Sequence, residues 1–363
     1  MREKRLGAVA LAVGFCIVIS ASCAVVCPVA AASSEPVFDV VRLTNNDFGD
    51  GGPVTDGKYV AWLQFAEPGS STEIMVYNIE SEEYSQLTDN EYSEYHLLID
   101  NGLVVGHFED GSDQEICLYD LNTMSLVFQT DNEFDDRSAK IHNGQVVWCG
   151  FPDDPDFGEI YFYDTAVGNS EPVRLTEDGY YDRNPDIHNG QIVWASYQAI
   201  YFYDSNTGFQ DEISLYPFDN GNNPRIHEGL VTWGSHSQYP IVDREIFLYD
   251  SIEGVTYRIT ENAYPDSAPI IENGKIVWYA VPDYPNPTEM FFYDYYSDNP
   301  SVTRLTYNTY REEGHRMHNG QVIWLGAPYY SDVFFYDSIR DIGPIQLFET
   351  GFLNEGPGGV HQA

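Results

Sequence analysis

The chain contains few basic residues. Its 363 residues include 17 lysines and arginines against 57 aspartates and glutamates, which gives a formal net charge of −40. After residue 32 the lysines are Lys58, Lys140 and Lys275. A surface this acidic repels a nucleic-acid backbone, so nucleic acid is excluded as a partner. Three explanations of the acidity stay open: a solvated surface, adaptation to high salt, and binding of divalent cations.

Cysteine is also scarce. Cys16, Cys23 and Cys27 lie in the N-terminal segment, which leaves Cys117 and Cys149. The last two could pair in an exported protein. Their places in different strands of adjacent repeats favour two buried free thiols instead.

Long apolar runs are absent after residue 29. Before it, Arg2, Lys4 and Arg5 precede an apolar run over residues 6–29, and Ala30-Ala31-Ala32-Ser33 follows. This order is typical of a secretory signal peptide over residues 1–32. The run is long enough that an uncleaved membrane anchor is the alternative. Either way the sequence predicts an extracytoplasmic protein, secreted or at the cell surface, and we expect a monomer.

Common catalytic motifs are missing as well. The sequence has no Gly-x-Ser-x-Gly nucleophile elbow, no His-Glu-x-x-His zinc motif and no phosphate-binding loop. No motif therefore indicates an enzyme, and no cofactor is expected apart from a candidate calcium ion.

The chain is instead built from a repeat. Copies of the segment Ile141–Trp148 recur seven times at intervals of 39 to 46 residues, with turn glycines at Gly57, Gly102, Gly144, Gly190, Gly229, Gly274 and Gly320. In each copy an apolar run ending in Tyr-Asp or Tyr-Asn follows, and then an Arg-Leu-Thr type segment, clearest at Arg174-Leu175-Thr176. A period of this length indicates a repeat architecture.

One repeat reads as four short strands. Asn-Gly joins the first two, which is a strong hairpin signal, and the run Glu159–Asp164 is typical of the third. Seven such units predict an all-β, seven-bladed β-propeller of four-stranded antiparallel blades over residues 38–350, with an open solenoid as the rival and residues 351–363 as a tail. For closure two alternatives stay open: residues 41–44 complete the last blade, or residues 345–348 do.

The repeat resembles a known family. The order x-Pro-x-Ile-x-Asn-Gly-x-Val-Val-Trp, Glu-Ile-x-x-Tyr-Asp and Arg-Leu-Thr is similar to TolB-type propeller repeats of exported and surface proteins. The resemblance covers about residues 38–350. It implies a rigid module for interaction with proteins or surfaces, and related propellers also occur in polysaccharide lyases and as non-catalytic domains of serine peptidases. Fold alone does not decide function.

Residues that recur in register in most blades are interpreted as structural. His142, His188, His227 and His318 each precede the turn, and a metal site would break such symmetry rather than follow it. The six tryptophans are interpreted in the same way, as packing residues between blades.

Function is sought where the repeats differ, in the loops that lie on one face of a propeller. Arginines flanked by carboxylates and tyrosines are candidates for binding an acidic sugar or a peptide carboxylate, and local ion pairs are the alternative. The candidate binding residues are Asp135, Asp136, Arg137, Tyr181, Asp182, Arg183, Arg311, Glu312 and His315. The expected partner is a protein or a polysaccharide at the cell surface, and the membrane is reached only through an uncleaved N-terminus.

Two further hypotheses concern chemistry on this face. The loop with Asp153, Asp154, Asp156 and Glu159 offers clustered oxygen ligands for calcium, although its spacing differs from an EF-hand. The alternative to a non-catalytic binding module is a polysaccharide lyase, for which His315, Arg311 and Tyr181 supply suitable residue types.

Overall fold

The structure is a computed structural model that describes residues 42–65, 71–109, 111, 113–154, 157–167, 171–197, 199–214, 222–236, 244–282, 287–309, 311–327, 332–340 and 342–346. The chain divides into two compact units, Met1–Asn45 and Asn46–Ala363. In the first unit, the described residues 42–45 form no strand. The predicted signal segment and C-terminal tail lie outside the described residues and stay predictions.

The second unit consists of seven sheets, each made of four consecutive antiparallel strands. The first three sheets are β1 (Gly49–Thr55), β2 (Tyr59–Phe65), β3 (Thr72–Asn78) and β4 (Glu83–Gln86); β5 (Ser93–Asp100), β6 (Leu103–Glu109), β7 (Gln114–Asp120) and β8 (Ser125–Gln129); and β9 (Asp136–His142), β10 (Gln145–Asp154), β11 (Phe157–Asp164) and β12 (Val173–Arg174), with a 3₁₀ turn at Thr165–Val167.

The other four sheets are β13 (Asp182–His188), β14 (Gln191–Ser196), β15 (Ala199–Asp204) and β16 (Phe209–Glu212); β17 (Asn222–His227), β18 (Leu230–His236), β19 (Arg244–Asp250) and β20 (Val255–Arg258); β21 (Asp266–Glu272), β22 (Lys275–Ala280), β23 (Glu289–Asp294) and β24 (Thr303–Arg304); and β25 (Arg311–His318), β26 (Gln321–Ala327), β27 (Asp332–Asp337) and β28 (Ile342–Gln346). The prediction of a seven-bladed β-propeller is confirmed.

Asn-Gly pairs form the first hairpin of five blades, as their sequence predicts, and Asp56-Gly57 and Glu228-Gly229 form it in the other two. Asn143 and Gly144, between β9 and β10, have φ values of +49° and +76°, which a type I′ turn requires. A Cβ at Gly144 would also lie 2.5 Å from Thr165 Oγ1, so backbone angle and space both favour glycine.

The hydrophobic core lies between blades. Six clusters of buried residues join consecutive blades, and the one between the third and fourth blades contains Val147, Ile160, Ile187, Ile192 and Trp194. The tryptophans of the second strands are buried. Their predicted packing role is confirmed.

The last blade takes its fourth strand from the C-terminal side, because β28 pairs with β27 through Phe335 and Ile345. Of the residues in the competing alternative, 42–44 form no strand and 41 lies outside the described residues. On β26, Ile323 and Leu325 are exposed, whereas Val147 on β10 is buried. The described residues thus leave this face of the seventh blade uncovered.

Two smaller findings complete the fold. Cys117 and Cys149 are buried and free, as predicted, and burial raises the pKa of the Cys117 thiol to about 12. Among the described residues, no helix is long and apolar enough to cross a membrane.

Candidate functional site

The first strand of every blade is bulged at the same position. In β9 the register shifts between Arg137, which pairs with Cys149, and Lys140, which pairs with Val147. The equivalent bulges contain one residue in the left-handed region, with φ from +49° to +66°: Gly52, His96, Ser138, Asn184, Asn223, Ala268 and Gly314. Bulges of this kind redirect neighbouring side chains.

These bulges lie towards the centre of the propeller. First strands of consecutive blades contact each other from β1 to β25, whereas fourth strands such as β4 and β16 are exposed along their whole length. A cavity of about 360 Å³ is lined by bulge residues of β5, β9, β13 and β17, including His96, Lys140 and Arg225. A second cavity of about 200 Å³ shares Arg225 and extends to His315 and Arg316.

The two cavities are positively charged. Lys140, Arg225 and Arg316 line them, and no carboxylate is among their described lining residues. Burial and the neighbouring Arg225 hold the pKa of Lys140 below its usual value, while Asp186 opposes this shift. Asp186 in turn accepts a hydrogen bond from the backbone N–H of Ile226, at 3.0 Å. We call Lys140, Arg225 and Arg316 the channel cluster.

Two buried histidines border this cluster as neutral groups. His107 accepts a hydrogen bond from the backbone N–H of Ala139 at Nε2, at 3.3 Å, and burial lowers its pKa to about 4. His315 Nε2 donates to the carbonyl of Ala268 at 2.8 Å, and burial lowers its pKa to about 4 as well. In both rings Nδ1 has no hydrogen-bond partner among the described residues.

The predicted binding arginines make local contacts. Arg137 pairs with Asp135 and stacks on Phe151, with 5.1 Å to the ring centroid. Arg183 lies 5.3 Å from the ring centroid of Tyr181. These contacts agree with the alternative interpretation, in which the arginines form local interactions within the protein.

At the start of β25, Arg311 Nε lies 3.1 Å from Glu313 Oε2, again a local pair. In the lyase hypothesis Tyr181 would join Arg311 and His315. Tyr181 instead belongs to the fourth blade, and the other two belong to the seventh. The described contacts of the three residues do not bring them together.

Three predicted binding residues are buried in the blades. Asp136 is 1% exposed and accepts hydrogen bonds from the Trp148 indole and the Asn132 amide, both at 2.8 Å. Glu312 is held in the same way by a threonine and an asparagine. Asp182 is 0% exposed. All three side chains thus lie in the blade interior, and their binding role stays a prediction.

The acidic residues proposed for calcium separate in the structure. The side chain of Asp153 is 74% exposed and pairs with Arg174 at 3.0 Å, whereas Glu159 is buried. The side chain of Asp154 and all of Asp156 lie outside what the structure describes. Calcium binding by this set stays a prediction.

Three of the four repeated histidines have the structural role that their register predicts, whereas His318 is exposed and its Nδ1 lies 3.3 Å from Glu272 Oε1. The Nδ1 atoms of His142, His188 and His227 accept hydrogen bonds from backbone N–H groups of the following blade, at 3.0 to 3.2 Å. Their rings also stack, with centroids 4.0 and 4.3 Å apart.

Sequence reasoning missed the channel cluster. Lys140 was visible as one of the few lysines, but Arg225 and Arg316 look like ordinary repeat residues. A shared position in the repeat could have revealed them. Each of the three residues lies four positions before the turn glycine of its blade.

Comparison with solved structures supports the fold. Neither a protein-family model nor a curated protein matches the chain. One similar structure, from a study of two prolyl endopeptidases, has a TM-score of 0.61 and 9% identity over 82% of this chain and 49% of that one. Another, dipeptidyl peptidase 4 from Porphyromonas gingivalis, has a TM-score of 0.60 and 12% identity over 82% and 52%.

A third similar structure is the β-propeller domain of the Trilobed protease from Pyrococcus furiosus, with a TM-score of 0.54 and 14% identity over 84% of this chain and 96% of that domain. The chain thus spans about half the length of the two peptidases above and nearly all of this domain. At these identities the likeness shows the fold alone: a β-propeller shared with the propeller domains of peptidases.

Proposed function

We propose that this chain is a non-catalytic binding module that recognises a carboxylate group of its ligand at the channel cluster. The observation that carries the proposal is the concentration of Lys140, Arg225 and Arg316 around two adjoining cavities in a strongly acidic chain. Positive charge focused in a cleft attracts anions and orients them.

The state of the cluster supports an anionic ligand. Seven other basic residues, among them Arg174, Arg258 and Lys275, form ion pairs with carboxylates. Burial and the neighbouring Arg225 instead lower the pKa of Lys140, and Asp186 offsets this only in part. A bound carboxylate would relieve the repulsion and form charge-assisted hydrogen bonds.

The size of the site favours a small acidic group. Ligand pockets usually measure about 300–1,000 Å³, and the larger cavity is near the lower limit. A peptide carboxylate and a uronic acid share the required chemistry. The peptidase propellers among similar structures favour the peptide, and the TolB-type repeat pattern together with the N-terminal segment supports an exported, surface-associated protein, which is part of the proposal.

The proposal is tested by calorimetric titration of the full chain with an acidic peptide and, separately, with a uronic-acid oligosaccharide. Because hydrogen bonds to charged groups contribute about 1.5–3 kcal/mol, Lys140→Ala and Arg225→Ala should each weaken binding roughly 10- to 100-fold. Lys275→Ala is the matched control, since Lys275 pairs with Asp294 outside the cavities. Equal losses in all three variants, or no binding of either probe, would contradict the proposal.

A further inference from the structure

Four blades hold a buried carboxylate with the amide of an asparagine four residues earlier. The amide donates to the carboxylate with N···O distances of 2.6 to 2.8 Å. The pairs are Asn90 with Glu94, Asn132 with Asp136, Asn262 with Asp266, and Asn308 with Glu312. Each amide therefore supplies a proton donor to a carboxylate that has little access to water.

The fourth blade departs from this pattern at two positions. Asp178 replaces the asparagine, and like an asparagine its Oδ1 accepts the backbone N–H of Tyr180, at 2.9 Å. An ionised carboxylate has no N–H to offer to Asp182, the equivalent of the held acid. The residue paired with Asp182 is Ser196, where the third, sixth and seventh blades have Gly150, Ala280 and Gly326. Both changes add oxygen atoms at one place.

The carboxylate of Asp182 has no hydrogen-bond donor of this kind. It is 0% exposed, and neither carboxylate oxygen has a hydrogen-bond partner among the described residues. The hydroxyls of Ser196 and Thr176 and the carboxylates of Asp178 and Glu159 lie near it. A buried carboxylate of this kind requires a proton or a cation.

Glu159 completes a group of three. One oxygen from each of Glu159, Asp178 and Asp182 lies within 4.8 Å of the others. Glu159 also accepts a hydrogen bond from Thr176 at 2.6 Å and faces Arg174 at 3.2 Å. Three carboxylates thus meet one guanidinium here, whereas at the equivalent place in the sixth blade two carboxylates, Glu245 and Asp266, meet Arg258.

We infer that Glu159, Asp178 and Asp182 bind a divalent cation of the calcium type, with the Ser196 hydroxyl as a neighbouring neutral oxygen. Calcium prefers oxygen ligands, accepts carboxylates in irregular geometry and completes its shell with water. Asp178 is exposed, so the ion can enter from its side of the group. The cation would take the place that the asparagine amide has in the other blades.

The test is calcium titration of the full chain by calorimetry after chelator treatment, at physiological ionic strength. Wild type should bind one calcium ion, and Asp178→Asn should bind it at least about tenfold more weakly. Replacing even a residue that only supports the ligands of a metal site lowers metal affinity about 10- to 100-fold. Asp178→Asn restores the residue of four other blades, so the variant should fold. Asp153→Asn is the matched control, because Asp153 is exposed and lies beside Arg174 but outside the group.

Thermal melting separates the cation from a shared proton. If the inference holds, calcium raises the melting temperature of wild type and of Asp153→Asn but not of Asp178→Asn. If a proton alone neutralises Asp182, calcium leaves the melting temperatures of wild type and both variants unchanged, and that result overturns the inference. Equal calcium affinity in wild type and Asp178→Asn, or equal loss in both variants, overturns it as well. None of these outcomes depends on the channel cluster.

Discussion

Replacement of Asp266 by asparagine should make the stability of the propeller less dependent on pH. Asp266 is 1% exposed, and it accepts hydrogen bonds from the Trp278 indole at 2.7 Å and the Asn262 amide at 2.6 Å. Burial raises its pKa to about 6 from a usual value of 3.8. The variant keeps the shape of the side chain and cannot ionise.

The sign follows from the direction of the shift. Because the pKa is higher in the folded state, the carboxyl group of Asp266 favours folding below the unfolded pKa, and this contribution is lost as the pH rises through about 6. Between pH 5 and pH 8 the loss amounts to about 1.4 kcal/mol, since one pKa unit corresponds to about 1.36 kcal/mol. pH 5 also lies above the isoelectric point, which is near 4.2.

The assay is urea denaturation of wild type, Asp266→Asn and Asp211→Asn at pH 5 and pH 8. Asp211 lies on the exposed strand β16, so its replacement removes the same charge from the surface. Asn262 loses its acceptor in Asp266→Asn, so this variant is less stable at both pH values, and only the difference between them is diagnostic. That difference should shrink by about 1.4 kcal/mol in Asp266→Asn alone. An unchanged difference, or the same change in both variants, would refute the reasoning.

Two further predictions concern stability and use the same denaturation assay. Gly144→Ala should lower the free energy of unfolding more than Gly254→Ala does. Both glycines have positive φ, but only at Gly144 would the new Cβ collide with another atom, Thr165 Oγ1. Equal losses of stability would show that backbone strain alone accounts for the effect. Thr306→Val should cost about 1–3 kcal/mol, because the Thr306 hydroxyl donates to buried Glu312 at 2.6 Å and valine leaves that carboxylate oxygen unsatisfied. A loss well below this range would mean that water replaces the hydroxyl.

Much of the fold could be predicted because its signals are local. An Asn-Gly pair sets two adjacent φ angles, and Tyr-Asp marks the end of most third strands in the repeat. The turn glycine recurs seven times, so the number of blades followed from counting. Three of the four histidines before the turns were interpreted correctly for the same reason: a residue that recurs in register has a role that the blades share.

The candidate sites could not be predicted in the same way. Asp136 and Arg137 are neighbours on β9, yet the first is buried and bonded to Trp148, whereas the side chain of the second is 44% exposed and pairs with Asp135. The hairpin pattern does not indicate which side chains a bulge in the first strand turns towards the centre. Whether a side chain at the bulge is exposed depends on how the neighbouring blades pack against it.

By itself the sequence determined the repeat, the four strands of each blade, the all-β class and the acidic surface, because each follows from periodicity or composition. Tertiary structure decided where the rare positive charges meet and where negative charges crowd. Lys140 and Arg225 come from different blades, and so do Glu159 and Asp182, separated by many residues in the chain. Electrostatic interaction depends on distance in space, and only the packing of one blade against the next fixes that distance.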